Sequence, residues 1–224
     1  YWHPKGALIR HNIEDFWKKE HFKRGYDIVY TPHVAKLDLW KTSGHLEFYR
    51  DAMYASMEME GQDYQVKPMN CPGHCLIYLE EPRSYRDLPL RLTEPGILHR
   101  NEKSGTLHGL LRVRTFQQDD AHIYVTKEGI EAEILEIISL LTEIYARIGF
   151  DEYRVELSTK PEKSIGSAEV WERAEKALAA AIERTGMRYT VSPRAGAFYG
   201  PKLDFHITDS VARSWQCGTI QVDM

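Results

Sequence analysis

The sequence predicts an α+β fold in which helices flank a largely antiparallel β-sheet, and three stretches carry that prediction. Between Leu110 and Val125 the residues alternate: Arg112, Arg114, Phe116, Gln118, Asp120 and His122 fall on one face of a strand, and Val113, Thr115, Gln117, Asp119, Ala121 and Ile123 on the other. From Lys127 to Ile148 an apolar stripe of Ile130, Ile134, Ile137, Ile138, Leu141, Ile144 and Ile148 marks an amphipathic helix, with Thr126 and Gly149 as its caps. Arg188 to Val191, Leu203 to Thr208 and Trp215 to Val222 read as three further strands. With 224 residues and 42% apolar content, the chain can fill a core.

Taken in order, Lys5 to Arg24 has mostly helical spacing through Leu8, Ile9, Ile13, Phe16, Trp17 and Phe22, and Gly25 stands at the expected end. Tyr26 to Thr31 reads as a strand closed by Pro32, followed by a polar loop holding Trp40, Gly44 and His45. A hairpin is expected over Met53 to Lys67, turning at Gly61 to Asp63. A helix starts near Pro72 and runs to Leu79, and Glu80 to Leu88 is a charged connection. Leu90 to Thr93 and Gly96 to Glu102 are extended, and Lys103 to Gly109 is a loop. Tyr153, Val155 and Leu157 alternate as a strand, and Ser167 opens a second amphipathic helix through Trp171, Ala174, Leu178 and Ile182 to Gly186.

Formal net charge is -4, so no global field points to nucleic acid. Basic residues gather locally: Arg83, Arg86, Arg91, Arg100, Lys103, Arg112 and Arg114 stand against only Asp87, Glu94 and Glu102. Cys71, Cys75 and Cys217 cannot make a full disulfide set, and no signal peptide or long apolar run is visible, which points to a reducing compartment and no membrane partner. The start on YWHPKG and the stop on TIQVDM are those expected of a piece of a longer polypeptide.

The face carrying Arg112 to His122 runs from guanidiniums past an aromatic ring to a carboxylate and an imidazole, a surface suited to a small anionic, aromatic and polar ligand. Cys71 and His122 are candidate metal ligands, since zinc accepts Cys with two His and keeps a fourth position open; His74 and Cys75 beside Cys71 form a rival local knuckle. Arg100 could grip phosphate while Phe116 stacks on a base and Glu102 meets its amino group, but ion pairing between neighbouring strands explains the same residues equally well. No GxxxxGK[ST] motif occurs. GAFYGPK at 196–202 is either a close approach of backbone to a ligand or a tight turn, and Gln216, Thr219 and Gln221 are polar interruptions of a strand.

Taken together, NCPGH at 70–74, HRNEKSGTLHGLLRVRTFQQDDAHI at 99–123, TKPEKSIGS at 159–167, GAFYGPK at 196–202 and WQCGTIQ at 215–221 resemble the threonyl-tRNA synthetases, a class II family, over essentially the whole chain. The resemblance implies a class II synthetase-like catalytic domain over residues 1–224, incomplete at its C-terminus and without editing or anticodon-binding domains. It implies activation of L-threonine with ATP and magnesium, transfer to the 3′ end of tRNA(Thr), and a homodimer built through the motif 1 region that Pro32 closes. Arg100 would hold the α-phosphate, Glu102 would read the adenine and Phe116 would stack on it, with Arg112, Gln216 and Thr219 also on the nucleotide. Asp120 would receive the threonine hydroxyl, Met69, Gln118, Tyr199 and Gln221 would line the substrate, and Lys202 would join Arg100 at the reacting groups. His45 matches a histidine near the tRNA terminus, and Cys71 and His122 match two zinc ligands.

Valine has threonine's shape without the hydroxyl, so an apolar pocket alone discriminates poorly, whereas a site built on zinc and Asp120 would leave polar groups unpaired when valine binds. The family's third zinc ligand and the arginine of its motif 3 lie beyond the equivalent of Met224, so the chain is expected to have an incomplete zinc shell. A cytoplasmic enzyme, or an organellar form of it, follows. The alternative is a catalytically silent synthetase-like module that binds tRNA or nucleotide.

Overall fold

The computed structural model describes residues 1–223, which divide into two compact units, Tyr1–Tyr124 and the part from Val125 onward. In the first unit, helix α1 (Pro4–Lys23) begins on a proline whose missing N–H costs nothing in a first turn. Trp17 is buried on α1, but Leu8, Ile9, Ile13 and Phe22 remain more than half exposed, so most of the helix's apolar stripe has no cover among the described residues.

Strand β1 (Asp27–Ile28) is shorter than its apolar run suggests, because only Asp27 and Ile28 find ladder partners. Strand β2 (Val34–Lys36) leads into helices α2 (Leu37–Thr42) and α3 (His45–Phe48), where the sequence suggested a polar loop. The cause is tertiary: Leu37 and Trp40 bury themselves with Met53, and a helical turn puts the first two on one side. Strands β3 (Met57–Met59) and β4 (Gln62–Val66) form the expected hairpin, and β2 adds to β4 from the other edge.

Helix α4 (Cys71–Leu79) has Pro72 in its first turn, as its sequence indicates. Strand β5 (Leu90–His99) passes unbroken through Pro95, which lies opposite Asp119 of β6 (Thr115–Tyr124). Its other neighbour, β1, pairs only at Leu92 and Thr93, so beyond them one side of β5 needs no donor and a proline is tolerated. The ladder of β6 starts later than its alternation suggests. His108 and Arg112 instead form a small bridge, which leaves Arg112 and Arg114 in the loop and Arg100 just past the end of β5.

In the second unit, α5 (Ile130–Arg147), β7 (Tyr153–Ser158), α6 (Ala168–Arg184), β8 (Tyr189–Ser192), β9 (Lys202–Thr208) and β10 (Ser214–Gln221) lie close to their expected positions. The side chain of Ser167 caps α6 by accepting from the Val170 N–H. Ile134, Ile138, Leu178 and Ile182 of the two helices pack on Val155, Leu157, Leu203, Phe205 and Ile220 of the sheet. The strand order is β10-β9-β7-β8, and β7 with β8, like β1 with β5, runs parallel. The expected antiparallel sheet is therefore divided into three, two of them with one parallel pair each and the third, β2-β4-β3, antiparallel throughout. No helix among the described residues is long and apolar enough to cross a membrane, and all three cysteines are free.

Candidate functional site

In the first unit the polar face of β6 meets the start of α4 and a buried acid on β5. Asn70, the residue before α4, donates from Nδ2 to Asp120 Oδ2 at 2.8 Å. Two residues along, His122 Nδ1 lies 2.8 Å from His74 Nδ1 of α4, with the rings 4.6 Å apart and nearly perpendicular. His74 Nε2 is 3.1 Å from Glu94 Oε2, and Glu94 also accepts from Lys67 Nζ and Thr31 Oγ1, each at 2.8 Å. Burial alone would raise the Glu94 carboxyl, but hydrogen bonds from His74, Lys67 and Thr31 outweigh it and hold the group at about 2. The opposite face of β6 turns to α1: Gln117 accepts from Arg10, and Asp119 lies 3.2 Å from His21. Alternation along β6 is thus real, with Asp120 and His122 on one face and Gln117 and Asp119 on the other.

The residues present fit a metal ion in part. His122 is held neutral by burial, the form that ligates, and its Nε2 has no protein partner among the described residues. Cys71 is partly buried, and burial and then the Asp120 carboxylate push its thiol above the usual range, which a nearby dication would reverse. Among the described residues no three His, Cys, Asp or Glu side chains gather as a complete ligand set. The rival knuckle of Cys71, His74 and Cys75 is disfavoured, because both ring nitrogens of His74 are already engaged.

Arg100, past the end of β5, lies over the Phe116 ring at 5.0 Å and the Tyr49 ring at 5.6 Å, and donates from Nε to Pro68 O. Glu102 accepts from both Nε and Nη2 of Arg112 at 3.1 Å, so the ion pairing that the sequence allowed is present, though in the loop and not between strands. His45 is buried, with its ring nitrogens on Ser43 Oγ at 2.9 Å and Met69 Sδ at 3.2 Å, and burial lowers its pKa. Gln118 stands half-buried opposite Gly96.

The second unit has a polar face of its own. Lys202, Asp204 and His206 alternate on β9 and pair in register with Gln221, Thr219 and Gln216 of β10. A bulge between Gln216 and Gly218 adds one residue, and that shift returns Gln216 to the face shared by Thr219 and Gln221. Asp204, buried, accepts from Gln216 Nε2 at 2.7 Å and Ser158 Oγ at 2.7 Å, and pairs with Lys202 Nζ at 3.0 Å. Tyr199 donates to Gln221. In GAFYGPK a Cβ on Gly200 would fall 2.0 Å from the backbone oxygen of Val222, so that glycine is required for chain packing.

A family model described as the tRNA synthetase class II core domain (G, H, P, S and T) matches residues 54–224. The chain belongs to that family. It is 55% identical over 223 residues to a threonine–tRNA ligase, chloroplastic/mitochondrial 2, of Arabidopsis thaliana, covering 100% of this chain and 34% of that protein. Against the threonine–tRNA ligase of Caldanaerobacter subterraneus subsp. tengcongensis, identity is 56% over 223 residues, again 100% of this chain and 34% of the relative. A solved structure titled the RNA binding domain of threonyl-tRNA synthetase from Cryptosporidium parvum Iowa II superposes with a TM-score of 0.95 at 45% identity, covering 100% of this chain and 56% of that one. The chain spans about a third of the length of the curated relatives it matches. The synthetase-like fold and the resemblance to the threonine enzymes are thereby established.

Sequence reasoning missed Asn70, Lys67, Glu94, Ser158 and Asp204, the groups that hold the candidate residues in place. A signal existed for Glu94, the one acid in the stretch LRLTEPGIL, and for Asp204, which alternates with Lys202 and His206.

Proposed function

We propose that residues 1–224 are a class II catalytic domain that activates L-threonine with ATP and passes it to the 3′ end of tRNA(Thr). The observation that carries the reading is the pairing, on one face of β6, of an anchored Asp120 carboxylate with a His122 Nε2 that has no hydrogen-bond partner among the described residues. Asp120 accepts the threonine hydroxyl proton, and Asn70 keeps that carboxylate turned toward it. Zinc held by Cys71, His122 and a further ligand supplies, when bound, a Lewis-acid centre for the amino and hydroxyl groups of threonine. The family resemblance adds Met69, Gln118, Tyr199 and Gln221 as residues that would line the substrate.

In the reaction a threonine carboxylate oxygen bonds to the α-phosphorus of ATP, the bond to the β-phosphate oxygen breaks, and pyrophosphate leaves; magnesium, when bound, would supply countercharge for the phosphates. Arg100 and Lys202 stabilise the phosphate charge, an electrostatic and positioning role that needs no covalent nucleophile. Arg100 must leave the Phe116 face for the adenine to stack there, and Glu102 must release Arg112 to meet the adenine amino group. Gln216 and Thr219 reach the nucleotide. A hydroxyl of the tRNA terminal ribose then attacks the threonyl carbonyl, AMP leaves, and the neutral His45 stands near that terminus. The exposed stripe of α1 supports a homodimer, and the free cysteines support a reducing compartment, cytoplasmic or organellar.

The test is ATP–pyrophosphate exchange by the intact protein. Threonine should drive exchange and valine should do so orders of magnitude less well. Equal exchange with valine, or none with threonine, would sink the reading.

A further inference from the structure

We infer that Glu94 and His74 are positioning residues that fix the tautomer and direction of the His122 ring, so that His122 offers a lone pair on Nε2 to a metal ion. The inference rests on the proposed metal-ligand role of His122 and adds two residues that do not themselves bind the metal.

Hydrogen positions are fixed one after another from Glu94 to His122. Glu94 takes hydrogen bonds from Lys67 Nζ at 2.8 Å, from Thr31 Oγ1 at 2.8 Å and from the Thr31 N–H at 3.1 Å. A carboxylate so surrounded is an acceptor only, and its Oε2 lies 3.1 Å from His74 Nε2, so that nitrogen carries the hydrogen. A neutral imidazole has one N–H, which leaves His74 Nδ1 with a lone pair. That lone pair sits 2.8 Å from His122 Nδ1, which must therefore donate. The single hydrogen of neutral His122 is then spent on Nδ1, and Nε2 is unprotonated, with no hydrogen-bond partner among the described residues. The opposite order would set a ring lone pair against the Glu94 carboxylate. Asp120 Oδ1, at 3.9 Å from His122 Nδ1, is too far to take the hydrogen instead.

Two further facts make the chain rigid. His74 is fully buried and Glu94 nearly so, and the His74 and His122 rings meet edge to face at 83°. Carboxylate, backbone and imidazole partners of this kind set the tautomer of metal-ligating histidines, and their loss typically weakens metal binding about 10–100-fold.

The experiment uses the intact protein labelled with 15N-histidine. In metal-stripped protein, long-range proton–nitrogen correlations should show His122 protonated at Nδ1 and bare at Nε2; the reverse tautomer overturns the inference. Zinc affinity, measured by competition with a chelator, should fall about 10–100-fold in His74→Ala. His74→Asn should recover most of the loss, because its Oδ1 stands where His74 Nδ1 stood and can accept from His122. Unchanged affinity in His74→Ala, or equal loss in both variants, would mean that His74 only fills space and would overturn the proposal. Wild-type protein that takes up no zinc would overturn the metal reading instead, a failure distinguishable because the tautomer is read without metal.

Discussion

Asn70 Nδ2 and Asp120 Oδ2, 2.8 Å apart, join the residue preceding α4 to the polar face of β6, and a glycine makes the contact possible. A Cβ on Gly96, which lies opposite Gln118 in the neighbouring strand, would fall 2.1 Å from Asn70 Nδ2. Gly96→Ala should therefore push the Asn70 amide off Asp120 and cost about 1–3 kcal/mol through overpacking. Denaturant unfolding measures the cost. Stability equal to wild type would show that Asn70 can move aside freely, and would remove it as the anchor of Asp120.

Asp120→Asn separates an active enzyme from a silent module. An amide still fills the space but cannot accept as a carboxylate does, and its NH2 can turn toward the Asn70 NH2. Threonine-dependent kcat/KM should fall about 100-fold or more, while the smaller loss with valine narrows the threonine-to-valine ratio, since a polar site rejects analogues through its unpaired groups. Steady-state exchange with both amino acids reads the two numbers. Unchanged threonine kinetics would rule out the hydroxyl contact.

The face of β6 was legible in the sequence because a strand sends alternate residues to opposite sides, and Phe116, Asp120 and His122 needed nothing else to be grouped. Helices α2 and α3 were not legible, since they are too short to show a period and are held by burial of Trp40 with Met53, a contact outside their own span. The register of Gln216 was hidden for a different reason: a bulge between Gln216 and Gly218 inverts the alternation, and Gly218, the one hint of it, does not fix which side chains share a face. Glu94 was passed over because its partners Thr31, Lys67 and His74 are remote in sequence and close only in the fold.

Helix α1 leaves Leu8, Ile9, Ile13 and Phe22 exposed at 61%, 61%, 53% and 62%, an apolar surface expected at a subunit interface. Ile9→Glu with Ile13→Glu should shift the intact protein from dimer to monomer in sedimentation, because two carboxylates would have to be desolvated at the interface. Neither side chain is buried in the chain itself, so the monomer's own fold should stand. A dimer of unchanged affinity would move the interface elsewhere.

Glu94 predicts a specific acid response. Its carboxyl lies at about 2 in the folded chain against 4.5 as the reference value, so its contribution is complete above about 4.5 and is lost as pH falls toward 2. Urea unfolding across that window should show stability falling with acid in wild type, with a shallower slope in Glu94→Gln. At neutral pH the variant should be less stable by about 3–5 kcal/mol, because Lys67, 3% exposed, loses its partner. Parallel pH profiles for the two proteins would show that another group carries the acid sensitivity.

Asp204 makes a comparable prediction for the second unit, with a functional readout. Its two oxygens serve Ser158 Oγ, Gln216 Nε2 and Lys202 Nζ, so one buried carboxylate orients two of the residues proposed to meet ATP. In Asp204→Asn one oxygen becomes an NH2, which cannot accept, and at least one of those three donors loses its partner. A buried donor left unpaired costs about 1–3 kcal/mol, and the same disorder at Lys202 or Gln216 should lower kcat/KM for ATP about 10–100-fold. A purely structural role would lower stability and leave the kinetics of the remaining folded protein intact. The two outcomes separate when exchange is measured well below the variant's melting temperature, and full activity there would sink the positioning role of Asp204.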